Sequence, residues 1–205
     1  PDQWDLDGTA HIARYNPDEA AAQQWFWEAP LGIIEWDTEF RVIRWNPAAE
    51  RIFGYTQSEA IGKTAFELII PDSTRRLVSE VWKNLLASKG GTRNTNENIT
   101  KDGKIILCDW FNTPLINEYG KVISVSSFVN DITENVKSQK IQSALYQISE
   151  LVHNIDDIYQ LYKEIHQIVS KLMKADNFYI ALYDDENEMI SFPYFVDEFD
   201  SPPEP

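Results

Sequence analysis

The sequence is short of cysteine, glycine, histidine and positive charge, and each shortage excludes something. One cysteine, Cys108, in 205 residues rules out an internal disulfide framework and fits a reducing compartment. Only 18 Lys and Arg stand against 33 Asp and Glu, a formal net charge of −15. That argues against a nucleic-acid or anionic-membrane surface, since both need basic patches. No apolar run approaches the roughly 18–20 residues that span a bilayer, and no basic-then-apolar leader opens the chain. These absences predict a cytoplasmic chain with no nucleic-acid partner and no membrane segment in this stretch; a membrane segment lying outside it would leave the same reading. Neither Lys nor Arg follows Lys174, whereas Asp184, Asp185, Glu186, Glu188, Asp197, Glu198 and Asp200 do, and a solvated acidic face accounts for this end. Glycine and proline are missing from Lys121 to Phe192, so no turn residue interrupts that stretch.

What is present suffices for a core: 43% hydrophobic and 13% aromatic residues exclude disorder by composition. The length predicts one large or two small domains. Residues 1–16 carry no usable pattern. Asn16-Pro17-Asp18-Glu19 predicts a helix start running to Pro30, with Trp25, Phe26 and Trp27 marking a face that docks on something. GIIEWD and RVIRWN read as two strands joined through Thr38-Glu39-Phe40. Asn46-Pro47 opens a helix closed near Gly54, and Gly62 and Pro71 divide the next segment into short pieces. A longer helix, STRRLVSEVWKNLLAS, carries Leu77, Val81 and Leu85 on one face and stops at Gly90-Gly91. Three further strands, TRNTNENIT, KIILCDWFNTPLI and KVISVSSFVNDIT, are joined by turns at Lys101-Asp102-Gly103 and Asn117-Glu118-Tyr119-Gly120. Runs of one element type, rather than strict alternation, predict an antiparallel sheet with helices on one face, an α+β domain.

Beyond Thr133 the period changes. Ile141, Ala144, Ile148, Leu151, Ile155, Ile158, Tyr162, Ile165, Val169 and Leu172 recur at alternating spacings of three and four, a heptad seam. A helix packing on its own domain explains such a stripe; so does a two-chain coiled coil, favoured here for the first half, with Ile141, Ile148, Leu151 and Ile155 as the dimer seam. His153-Asn154-Ile155-Asp156-Asp157 is the weak point, where Asp156 or Asp157 could cap a second helix. NFYIALYD and MISFPYFVD then read as two strands, a hairpin too small to close a core alone.

Several motifs in the right order carry a resemblance. GIIEWDTEFRVIRWNPAAERIFGYTQSEAIGKTAFELIIP resembles the amino-terminal half of a PAS sensor domain. KDGKIILCDWFNTPLINEYGKVISVSSFVNDITE resembles the carboxy-terminal PAS motif. Residues from about 156 onward resemble the start of a GAF domain. The resemblance implies a PAS-like five-stranded antiparallel sheet with helices on one face, a long helical linker, and an incomplete GAF-like segment of helix and hairpin. The implied divisions are residues 1–24 (flanking segment), 25–134 (PAS), 135–155 (coiled-coil linker) and 156–205 (truncated GAF). It further implies a sensory input module of a bacterial-type multidomain signalling protein, of the histidine kinase or diguanylate cyclase class. Such a module would be a homodimer through the linker helix and would feed a downstream output domain outside this chain. The alternative is a ligand-free PAS dimerisation and spacing module. Asp131, Ile132 and Thr133 would transmit the signal from the last strand into the helix, across a joint free to pivot because no seam residue precedes Ile141.

No catalytic or metal-ligating constellation is visible. Haem-binding PAS domains place an axial His on the long helix, and no His lies between Ile12 and Val152, which argues against haem held by His. Flavin-photoadduct members need a Cys on a short helix where this chain has GKTAFELI, which argues against a photoadduct; a non-covalent flavin or small metabolite stays open, and the cofactor is unknown. Strand alternation puts Cys108, Trp110 and Asn112 on the face opposite Asp109. By resemblance this is the concave face, and the same registration brings Ile34, Trp36, Val125 and Ser127 to it. Those seven residues would line a pocket for a planar ligand anchored by Asn112 and Ser127; simple core filling is the favoured alternative. Glu50, Glu59 and Glu67 read as a solvated face rather than an acid–base pair, and His153 and His166 as exposed helix residues.

Overall fold

A computed structural model describes residues 24–87, 92–155 and 157–200. The chain divides into two compact units, Pro1–Thr133 and Glu134–Pro205. The first opens with α1, residues 24–28, whose predicted start near Asn16 lies outside the described residues. It continues with β1 (Gly32–Trp36), β2 (Val42–Trp45), α2 (Pro47–Phe53), α3 (Gln57–Ala60), α4 (Ala65–Leu68), a 3-10 turn at Asp72–Thr74, α5 (Arg75–Leu86), β3 (Thr92–Ile99), β4 (Ile105–Ile116) and β5 (Val122–Asp131). The strands form one antiparallel sheet in the order β2-β1-β5-β4-β3. The α+β architecture read from the sequence is the one observed.

The helices between β2 and β3 are too short to persist alone, and side-chain caps or capping boxes mark the starts of α2, α3 and α4. Asn46, fully buried, accepts from the Ala49 amide at the head of α2 and from the Ile33 amide, both at 2.9 Å. Its amide nitrogen donates to the carbonyls of Phe26 and Leu31 at 3.1 and 3.0 Å. One side chain thus fastens α1, β1 and α2 together. Thr56 with Glu59, and Thr64 with Glu67, form capping boxes on α3 and α4. At the far end of α2, Gly54 takes φ 80° and returns its N–H to the Glu50 carbonyl at 2.8 Å, a conformation that a Cβ would strain.

The core lies between the sheet and α2–α5, where Trp36, Trp45, Phe53, Ile69, Leu85, Ile106 and Val125 are almost wholly buried. In α5 the buried face differs from the expected one. Leu77 is 47% exposed while Val78 and Leu85 are buried, with Val81 and Trp82 packed beside them. Trp82 sets this phase, because a face through residues 78, 82 and 85 buries more apolar area than one through 77. The predicted stop at Gly90-Gly91 lies outside the described residues. On the sheet's other face, Phe26 and Ala29 pack on Ile33 and Phe128, and the Arg44 guanidinium sits 3.8 Å from the centre of the Phe26 ring.

The second unit holds most of α6 (Thr133–Asn154), then α7 (Ile158–Leu172), β6 (Phe178–Asp184) and β7 (Met189–Val196), the strands forming an antiparallel hairpin. The ten-position stripe therefore does not lie on one rod. α6 ends within the weak point, at Asn154, and Asp157 starts a fresh helix by accepting from the Tyr159 amide at 2.9 Å. Tyr146, Gln147 and Leu151 of α6 share a cleft with Glu164, Gln167 and Ile168 of α7, so the two helices lie side by side. His166, expected to be exposed, is half-buried. Its ring stacks on Phe178 with centroids 4.7 Å apart. Nε2 faces the Ala175 carbonyl at 2.7 Å and Nδ1 the Tyr194 hydroxyl at 3.0 Å. A carbonyl can only accept, so Nε2 carries the proton in the neutral ring and Nδ1 accepts from Tyr194. No helix among the described residues is long and apolar enough to cross a membrane.

Candidate functional site

Strand alternation delivers one face of β1, β3, β4 and β5 to the space under α5. A cavity of about 30 Å³, counted as room for the centre of a water-sized sphere, lies there. By that measure it holds about two waters. Its wall is aromatic and aliphatic, with Trp36, Phe40, Trp82, Trp110, Ile69 and Leu85 prominent, and its polar lining is Asn94, Asn96, Asn112 and Ser127. No charged side chain among the described residues lines it. Of the seven residues read as lining, Trp36, Trp110, Asn112 and Ser127 do so. Ile34, Cys108 and Val125 are buried in the surrounding core instead, away from the cavity. Burial pushes the Cys108 thiol far up, with the Asp131 charge adding to it, so it serves as a small apolar group.

Phe40 reaches the cavity from an unusual backbone. It takes φ 65°, held because the Asp37 carboxylate accepts from the amides of Glu39 and Arg41, both at 2.8 Å. Its ring then stacks on Trp82 at 3.9 Å between centroids and 19° between planes. A left-handed residue in the β1–β2 turn therefore builds one wall of the cavity.

The polar groups are joined in series. Trp36 Nε1 donates to Ser127 Oγ at 3.0 Å, and Ser127 Oγ to Asn112 Oδ1 at 2.7 Å. Asn112 Nδ2 donates to Asn94 Oδ1 at 2.9 Å, and Asn94 Nδ2 to Asn96 Oδ1 at 2.7 Å. Asn96 Nδ2 donates to Asn98 Oδ1 at 3.1 Å, and Asn98 Nδ2 to the Ile69 carbonyl at 2.9 Å. Trp110 Nε1 also donates to Asn98 Oδ1, at 3.0 Å. An indole N–H only donates and a carbonyl only accepts. Trp110 and Ile69 therefore fix which way the Asn98 amide points, and Asn98 fixes Asn96, then Asn94, Asn112 and Ser127 in turn. The Trp36 N–H at the far end is satisfied by that same direction. Asn94, Asn96 and Asn98 were missed in the sequence; the N-x-N-x-N spacing of TRNTNENIT, three amides on one strand face, is the signal that could have found them.

A second feature sits at the sheet's edge. Thr133 Oγ1 accepts from the Leu107 amide at 2.9 Å, and the Ile132 amide donates to the Leu107 carbonyl at 2.9 Å. Asp131 Oδ1 accepts from the Thr133 amide at 2.9 Å and from its hydroxyl at 2.5 Å. The strand end is thus stitched to β4 as far as Thr133, because the Thr side chain replaces the ladder partner that the strand end would otherwise lack. Outside the cavity, Asp109 lies on the sheet's other face under a bidentate Arg93, at 3.2 and 2.8 Å, and that hydrogen-bonded guanidinium lowers its carboxyl. Glu59 and Glu67 serve the capping boxes, and Glu50 accepts from the Gln57 amide at 2.6 Å, so these acids do structural work rather than forming a pair.

A family model described as the PAS fold matches residues 21–132. A sensor histidine kinase, TmoS of Ectopseudomonas mendocina, is 27% identical over 157 residues, covering 71% of this chain and 15% of that protein. The chain therefore spans about a seventh of the length of that curated relative. Among solved structures, the PAS domain of a Colwellia psychrerythraea protein aligns with TM-score 0.53 and 24% identity, over 57% of this chain and 98% of the other. An RNA-binding light-oxygen-voltage receptor aligns with TM-score 0.53 and 20% identity, over 62% of this chain and 37% of that one. At these identities both likenesses speak for the fold alone.

Proposed function

Because this chain belongs to the PAS family, we propose that it is the sensory input of a larger signalling protein, reading a small-molecule cue and passing the result along α6. The observation that carries this is the uncharged cavity under the sheet, whose polar lining forms a single hydrogen-bonded series. A core that only needed filling gains nothing from a row of asparagines ending in a serine, whose polar groups cost stability unless all are paired. Transmission would leave through Asp131, Ile132 and Thr133, since these tie the last strand of the sheet to the first turn of α6. The receiver we propose is a second copy of the chain, paired along Ile141, Ile148, Leu151 and Ile155. Ile141 is 43% exposed on its own helix, as a seam waiting for a partner would be. The parent protein we take to be a cytoplasmic histidine kinase, by its likeness to TmoS, and the second unit we assign by resemblance to the GAF class.

Native mass spectrometry and sedimentation of the full chain test this. The expected result is a two-chain assembly that Ile148→Lys splits while leaving the fold of the first unit intact. A monomer, or a dimer indifferent to Ile148→Lys, refutes the proposed route of transmission. The spacing-module alternative predicts instead a dimer whose Leu107 and Thr133 amides exchange at the same rate whatever occupies the cavity.

A further inference from the structure

We infer that the cavity takes a small uncharged molecule carrying one amide or hydroxyl group, seated between Asn94 and Asn112 with its apolar part against the Phe40–Trp82 pair. This rests on reading the first unit as a sensor and specifies what it senses. The valences left over by the series decide the class. Of the three indoles that line the cavity, Trp36 and Trp110 have spent their single N–H. Asn96 has spent both of its N–H groups, on Asn98 and on the Glu97 carbonyl. Asn94 and Asn112 have each used one N–H and one lone pair, so each keeps one donor and one acceptor. A ligand head that both donates and accepts satisfies such an edge; a purely apolar head leaves it unpaired.

Charge is excluded by the lining, because an ion entering would lose its hydration with no counter-ion to replace it. Size is bounded by the two-water volume, about 60 Å³ of liquid, which suits a molecule of about three or four non-hydrogen atoms and leaves no room for a flavin ring. A separate observation points the same way. Thr92 Oγ1 is buried with no hydrogen-bond partner, alone in this among the described side chains. Thr92 lies on the same face of β3 as Asn94 and opposite Asn112 in the ladder. Thr92 stands beside the cavity rather than on its lining, next to the Asn94–Asn112 edge.

Acetamide is the probe, titrated into the full chain and followed by 15N–1H NMR at the side-chain amides of Asn94 and Asn112 and the indoles of Trp36 and Trp110. Saturable shifts confined to these signals are expected in the millimolar range, weakened at least about tenfold by Asn94→Leu. Acetate and methylammonium, of similar size but charged, should leave them unmoved, and this comparison needs no variant to fold. Three results overturn the inference: acetate binding as well as acetamide, xenon binding where acetamide does not, or no response to acetamide at about 100 mM, which is a cavity for water alone. If the cavity signals stay still while another cue alters exchange at Leu107 and Thr133, the ligand class fails and the sensor reading survives. If acetamide binds and those amides do not change, the reverse holds.

Discussion

Replacing Asn98 with Leu and Trp110 with Phe, singly and together, measures whether the buried series is worth more than its parts. Asn98 is fully buried and accepts from both Trp110 and Asn96. In Asn98→Leu, Asn96 keeps the Glu97 carbonyl and the Ile69 carbonyl keeps the Ile99 amide at 3.0 Å. The Trp110 N–H and one of the two Asn96 N–H groups are left without a partner. Each orphaned buried donor costs about 1–3 kcal/mol, partly offset by the apolar area that Leu adds, so a loss of about 3 kcal/mol is expected. Trp110→Phe removes the donor and leaves a void, costing about 2–3 kcal/mol. In the double variant the indole orphan is gone and only the Asn96 N–H stays unpaired, so the two losses should fall short of their sum by about 1–2 kcal/mol. Urea unfolding followed by tryptophan emission suits the measurement. Every tryptophan, from Trp4 to Trp110, precedes Thr133, so the signal reports the first unit alone. Additivity to within about 0.5 kcal/mol would refute the claim that Asn98 is there to satisfy the indole.

Other outcomes rest on single contacts. Asn46→Ala removes a helix cap and three further hydrogen bonds at once and should cost about 3–5 kcal/mol in the same assay; Asn46→Asp should recover less than half, since its carboxylate would face two carbonyls. The Glu59 carboxyl is lowered from 4.5 to about 2, first by its hydrogen bond with Lys101 and then by the Thr56 amide. A group depressed on folding contributes stability above its unfolded value and loses it as pH falls, so its share should vanish between about pH 4.5 and 2. Carboxyl NMR titration should find the low midpoint and see Lys101→Met raise it; a midpoint near 4.5 would contradict the geometry. Thr133→Val should speed exchange of the Leu107 amide and cost about 1 kcal/mol, whereas Thr133→Ser should do neither.

Much of the first unit was legible because its signals are local. Asn46-Pro47 and Gly54 bound α2 by cap chemistry, and alternation on either side of Asp109 placed Trp110, Asn112 and Ser127 on the face where the cavity lies. The cavity's far wall was not legible. Phe40 arrives through a positive φ that its residue type disfavours, and Trp82 through a helix phase one residue away from the one Leu77 suggests. Both are set by tertiary packing, which overrides local preference. The asparagine series was within reach, since period-2 amides are visible in TRNTNENIT, but a polar strand face is ordinarily read as the wet one. The heptad stripe has an unbroken period in the sequence, and Asp157, the cap that divides it, stands there only as an alternative. In the fold a strong local cap outweighs a long apolar repeat.

A chain of hydrogen bonds with both ends free has two equivalent directions and can hold one bit, reversing whole as a row of tipped dominoes can be set the other way. The series under this sheet has no such memory. Trp110 and the Ile69 carbonyl allow only one direction, so it cannot be switched by reversal. On the proposed reading, a message passed along α6 would therefore be written by occupancy and erased by release, with no record kept of the last molecule bound.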